Sequence, residues 1–196
     1  WVVGGTTTRK FGNFKAGNPQ EETNKQRLAR ILHQPRENLF FFKQEHTTII
    51  KEVTKSGYHQ VNAIGDGLFT REKGIAIIIK TADCIPIIAV SCDSKIIMIL
   101  HAGKAGLATN IIPKGLDVLL QQGGKAREIK ILLGPFIEKK CYPQDLEQLA
   151  ITQIEKSGIV KNNILNVHQC TLCKNDTYFS HRGGDKERMA NFVMMI

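Results

Sequence analysis

Short apolar runs separated by polar breaks mark most of this chain. Residues 39–43 (LFFFK), 75–79 (IAIII), 85–90 (IPIIAV), 96–100 (IIMIL) and 129–133 (IKILL) are rich in branched side chains and bounded by polar residues or Gly. Each is too short for an independent helix, so each predicts a buried strand. Residues 2–9 (VVGGTTTR) predict a short strand running into a polar turn, and the Gly- and Asn-rich stretch 11–20 a loop. Residues 164–168, 177–181 and 191–196 predict three further strands near the end of the chain.

Three stretches carry the helical period instead. Residues 21–33 open with acids and stop before Pro35. Residues 107–121 put Leu107, Ile111, Ile112, Leu116, Leu119 and Leu120 on one face and end at Gly123-Gly124. Residues 144–157 do the same with Leu146, Leu149, Ala150 and Ile154, with Gly158 as the stop. Strands and helices alternate irregularly. That order predicts an α+β (α/β) fold of mixed β-sheets layered with helices, a sandwich forming one domain over residues 1–196.

Composition narrows the partners. With 196 residues, 42% hydrophobic and 23% charged, the chain can build one buried core and is not of the disordered class. The net charge of +9 is spread along the sequence, and no basic run is interleaved with aromatics. The expectation is a basic soluble surface and a small, anionic substrate, with no nucleic acid. Five cysteines at 84, 92, 141, 170 and 173 are an odd number and predict no disulfide framework, which fits the reducing cytoplasm. No apolar run approaches the ~18 residues of a membrane span, and no signal-peptide pattern opens the chain. A monomer is expected. The chain starts on Trp1, so its natural beginning is expected to lie upstream.

Three predicted strands end on residues able to hold a metal. LFFFK leads to Gln44-Glu45-His46, IAIIIK to Thr81-Ala82-Asp83-Cys84, and KIIMIL to His101-Ala102-Gly103. Neighbouring strands would bring such ends into one crevice. Two imidazoles and a thiolate suit zinc, and three protein ligands leave a fourth position for water. The same residues also fit a metal-free hydrolase, with Cys84 as nucleophile beside His101 or His46. A second pattern, His168-x-Cys170-x2-Cys173, is half of a structural zinc site that Cys141 is free to join. Gly65-Asp66-Gly67 is too short for a phosphate loop, and His33 and His59 read as surface residues.

Several of these segments also carry a resemblance. Gln44-Glu45-His46, Thr81-Ala82-Asp83-Cys84-Ile85-Pro86, His101-Ala102-Gly103 with Gly106-Leu107, Gly134-Pro135-Phe136-Ile137, and Cys170-Thr171 with Phe179-Ser180-His181-Arg182 resemble, in order, the motifs of the YfiH-like family. This family is also called the multicopper polyphenol oxidase or laccase-domain family. The resemblance implies zinc, or copper, bound by His46, Cys84 and His101. It also implies phosphorolysis of adenosine, inosine or methylthioadenosine, and deamination of adenosine. On that reading Arg9 and Arg182 hold phosphate, Gln44 fixes the His46 loop or touches substrate, and Asp83 shuttles protons or orients a ligand. The chain departs from the pattern at three places. Lys104-Ala105 replace Trp-Arg, Gly183 replaces the second Arg after Phe-Ser-His-Arg, and Thr47 replaces Gly. Lys104 would partly stand in for the missing Arg, as a point charge in place of a fork. Six histidines are too few for a four-copper oxidase. An inactive, partner-binding homologue is the remaining alternative.

Overall fold

The computed structural model describes residues 1–57 and 63–196; the expectation for His59 falls outside them. Ten strands and four α-helices occur among the described residues, in a mixed α/β arrangement. The strands are β1 (Val2–Thr6), β2 (Leu39–Phe41), β3 (Ile50–Glu52), β4 (Gly67–Thr70) and β5 (Ala76–Thr81). After them come β6 (Ile85–Ser91), β7 (Ile96–Ala102), β8 (Ile129–Leu133), β9 (Ile164–Asn166) and β10 (Met189–Met195). The helices are α1 (Glu21–Ile31), α2 (Lys104–Ala108), α3 (Ile111–Gln121) and α4 (Leu146–Lys156).

The strands form two mixed sheets, ordered β1-β10-β5-β2 and β3-β4-β7-β6-β8-β9. Side chains alternate faces along a strand, and here the alternation sorts the core into three layers. Ile77 and Ile79 of β5 meet Ile97 and Ile99 of β7 between the two sheets. Ala76 and Ile78 turn the other way, onto Leu28, Ala29 and Leu32 around α1. Met98 and Leu100 of β7 face Ile111, Leu116 and Leu119 of α3. The order is therefore helix, sheet, sheet, helices. No helix among the described residues is long and apolar enough to cross a membrane.

Most predicted elements appear within a few residues of their expected bounds, and the differences have local causes. The predicted helix 107–121 is two helices, because Asn110 adopts the left-handed conformation (φ 62°) between them. The break places Pro113 in the first turn of α3, where a missing N–H costs little. The predicted strand 177–181 is a series of turns instead. Its backbone donors go to Lys174 O from Tyr178 and to the Asp185 carboxylate from Ser180. Strands β3 and β4 escape the sequence pattern because they are three and four residues long, and two of the three residues of β3 are charged. Gly67 is needed there: a Cβ would lie 2.7 Å from Ile50 and 2.8 Å from Leu100.

Because Ile99 is completely buried between the sheets, replacing it by Ala should lower unfolding free energy by about 2–5 kcal/mol. Denaturant unfolding measures this. A loss below about 1 kcal/mol would contradict a core shared by the two sheets.

Candidate metal centre

Strand register alone brings most of the site together. In the β6–β7 ladder Ile85 faces Ala102 and Pro86 faces His101, so the next pair outward is Cys84 opposite Gly103. In the β4–β7 ladder Gly67 faces Leu100, so Asp66 falls opposite His101. The His101 amide donates to the Asp66 carbonyl at 2.7 Å, which continues that ladder by one step. Gly103 has a steric reason to be Gly, since a Cβ would lie 2.5 Å from Cys84 Sγ.

His46 reaches the same place from the other sheet. Beyond β2, Lys43 bridges to Ile64, and the Gln44 side-chain amide then clamps β5. It donates to Lys80 O at 2.8 Å and accepts from Lys80 N at 2.7 Å. His46 itself is left-handed (φ 57°), a conformation that costs energy and persists only where neighbours fix it. Asp66 fixes it. One carboxylate oxygen accepts from Glu45 N at 3.2 Å, Thr47 N at 2.7 Å and Thr47 Oγ1 at 2.9 Å. The other oxygen meets His101 Nδ1 at 2.8 Å.

Asp66 is fully buried and His101 nearly so, while Cys84 is half-buried and His46 exposed. Burial opposes charge on Asp66, but the bonds from His101 and Thr47 outweigh it and hold the carboxyl at about 2. Burial likewise opposes the imidazolium, yet Asp66 and Cys84 raise His101 to about 9. The Cys84 thiol also pays desolvation, and the two histidines still draw it down to about 6. Without an ion these shifts favour a Cys84 thiolate beside a charged His101, and a divalent cation would take the place of the imidazolium proton.

The ligand atoms of His46, Cys84 and His101 all lie within 4.8 Å of one another. The imidazole rings are 4.8 Å apart between centroids. One sulfur and two nitrogens at this spacing suit a borderline-soft divalent ion. With Nδ1 of His101 committed to Asp66, its Nε2 is the nitrogen left for a cation, an arrangement typical of metal-binding histidines. The residues present fit a metal.

A cleft of about 490 Å³ opens over His46 and Cys84. Lys104 and Arg182 lie on its wall with Ile137, Tyr142, Leu146 and His181. Asp83 also borders it, but its carboxylate is occupied. It accepts from Thr171 Oγ1 at 2.6 Å, Ser180 Oγ at 2.8 Å and Arg182 N at 2.7 Å. Asp83 therefore ties the floor of the cleft to the wall that carries Arg182. Gln44 is absorbed in its clamp on β5 and is not on the cleft wall.

Arg9 is not brought to the cleft. Its guanidinium pairs with both oxygens of Asp185, at 3.0 and 2.6 Å, and lies over the Phe179 ring. The residue expected to hold phosphate is thus set apart from the cleft, with a carboxylate on its fork; Asp185 also accepts from Ser180 N, in the segment before Arg182.

The sequence gives no sign that Asp66, Thr47, Tyr142, Leu146 and His181 meet at this site. Asp66 stands in a short Gly-flanked stretch, and no local pattern signals that it faces His101 across a ladder. Thr47, a departure from the family's Gly, gives Asp66 two of its bonds. Replacing Asp66 by Asn should weaken zinc binding about 10–100-fold in a chelator competition, because the carboxylate both orients His101 and favours its ligating tautomer. An unchanged affinity would show that Asp66 does not hold the ligand set.

Comparison with known proteins bears on the chemistry. A family model described as multi-copper polyphenol oxidoreductase laccase matches residues 15–144 and 142–196. A purine nucleoside phosphorylase of Mycobacterium tuberculosis is 28% identical over 146 residues, covering 71% of this chain and 58% of its own length. The chain thus spans under two thirds of that relative. Purine nucleoside phosphorylase YlmD of Geobacillus stearothermophilus is 28% identical over 212 residues, covering 87% of this chain and 77% of its own. The crystal structure of that YlmD matches with a TM-score of 0.91 at 26% identity, over 99% of this chain and 92% of the other. Adenosine deaminase RL5, from an unknown prokaryotic organism, is 25% identical over 147 residues, covering 60% of this chain and 56% of its own. YfiH of Bacillus licheniformis shares the fold, with a TM-score of 0.92 at 23% identity over 100% of this chain and 93% of the other. Matched from residue 15 to its last residue, the chain belongs to the multi-copper polyphenol oxidoreductase laccase family, the YfiH-like family.

Proposed function

We propose that this chain is a zinc-dependent enzyme of purine nucleosides. It cleaves adenosine, inosine or methylthioadenosine with phosphate, and it deaminates adenosine. The observation that carries this reading is the His46, Cys84 and His101 ligand set, of which His46 and Cys84 line a cleft that also presents two cations, Lys104 and Arg182. Relatives named purine nucleoside phosphorylase and adenosine deaminase support the choice of substrate.

The cleft volume is of the size that encloses a small organic ligand. Ile137, Tyr142 and Leu146 offer an apolar wall against which a flat purine can lie, shedding water from both faces. A divalent ion held by the trio supplies Lewis-acid chemistry and makes water acidic enough to react near neutral pH. The chain's own side chains supply the rest. Lys104 and Arg182 hold the phosphate dianion and direct it at the sugar carbon that bears the base. The C–N bond breaks as the C–O bond forms, and its electron pair leaves with the purine, which needs a proton. His181 on the same wall is the side chain suited to carry that proton. Arg182 keeps its place because its own amide is bound to Asp83 and its guanidinium lies 5.9 Å from the Tyr142 ring centre.

A single incubation tests the reading. Zinc-loaded protein is given adenosine with and without phosphate, and adenine, inosine and hypoxanthine are followed. Adenine that forms only with phosphate is the expected sign of phosphorolysis, and inosine without phosphate that of deamination. Neither product from zinc-loaded protein would contradict the proposal, as would full activity in metal-free protein that is lost on alkylating Cys84. Replacing Arg182 by Ala should raise the KM for phosphate about 10–100-fold, the loss of one charge-assisted contact. An unchanged KM would remove Arg182 from the phosphate site.

A further inference from the structure

Behind the wall that carries Tyr142, a second set of soft ligands converges. Cys141 ends the short turn Lys139–Cys141, directly before Tyr142. Cys170 is paired with Phe136 through an isolated backbone bridge, and Cys173 follows one turn later. The three sulfurs lie within 4.8 Å of one another, with Cys141 and Cys173 at 3.3 Å. A zinc–thiolate bond of about 2.3 Å would set tetrahedrally placed sulfurs about 3.8 Å apart. The Cys141–Cys173 pair is about half an ångström closer than that, and all three sulfurs lie within 4.8 Å, so small side-chain rotations would reach it.

The surroundings agree with a metal. Cys170 is buried, Cys141 half-buried and Cys173 exposed, so an ion could enter from solvent and leave one coordination position facing it. A disulfide between Cys141 and Cys173 would use two of the sulfurs but give no reason for the third to turn to the same point. His168, the partner suggested by the sequence spacing, does not join: its Nδ1 is turned to Glu147, at 4.0 Å.

We propose that Cys141, Cys170 and Cys173 form a second metal site, for a thiophilic divalent ion of the zinc class, with the fourth position open to water. Three thiol protons leave to solvent as the three metal–sulfur bonds form. The ion fastens two segments of the cleft wall to each other. One continues into Tyr142; the other continues into Thr171, whose hydroxyl holds Asp83. The site uses none of the groups assigned to substrate.

Zinc alone, added to the reduced, metal-free chain and counted by native mass spectrometry, tests the proposal. The parent should bind two ions. Cys141→Ser and Cys173→Ser, at positions open to solvent, should each lose one. In His46→Ala one ion should remain, and it should disappear when Cys173→Ser is added, which separates this site from the His46 centre. A zinc count unaffected by both Ser substitutions would overturn the proposal. So would a zinc-saturated chain lighter by two hydrogens, with Cys141 and Cys173 joined.

Discussion

The whole site depends on the buried carboxylate of Asp66. It reaches three elements at once: the imidazole of His101 at the end of β7, the backbone on both sides of His46, and the hydroxyl of Thr47. A carboxylate with no exposure is tolerable only when its lone pairs are all engaged. Here that condition and the alignment of two ligands are met by the same bonds. His101 and His46 come from different sheets, and Asp66 sets their spacing. The left-handed backbone of His46 is held by this anchoring, and the position of its ring follows from it.

A second carboxylate divides the labour. Asp83 sits one residue before the thiol ligand, yet its oxygens are directed away from the ligands to Thr171, Ser180 and the amide of Arg182. It joins the floor of the cleft to a wall more than eighty residues further along the chain. The result is a rigid floor and a positioned cationic side. Such a division suits catalysis in which the reactive centre must stay fixed while substrate is clamped from one wall.

The layers, the strands of the hydrophobic runs, and the trio itself were legible from the sequence. His46 and Cys84 come within a few residues of a strand apolar enough to be recognised, His101 lies near the end of another, and the motifs around Cys84 and His101 are specific. What stayed hidden was set by pairing across the chain. Asp66 opposes His101 only because β4 and β7 share a register, and β4 is four residues long. Arg9 shows the same limit: a basic residue in a polar turn gives no local sign of a carboxylate partner, Asp185, that lies 176 residues away in sequence. The single helix read over 107–121 failed for a local reason, one left-handed Asn between two apolar faces that happen to stay in phase.

Anomalous diffraction at the zinc edge, from crystals of the zinc-loaded chain, tests the central claim most directly. The account predicts a peak about 2.0–2.3 Å from a nitrogen of His46, Sγ of Cys84 and Nε2 of His101, with Asp66 still on the far nitrogen of that ring. A fully loaded crystal with no peak among these three side chains would contradict it.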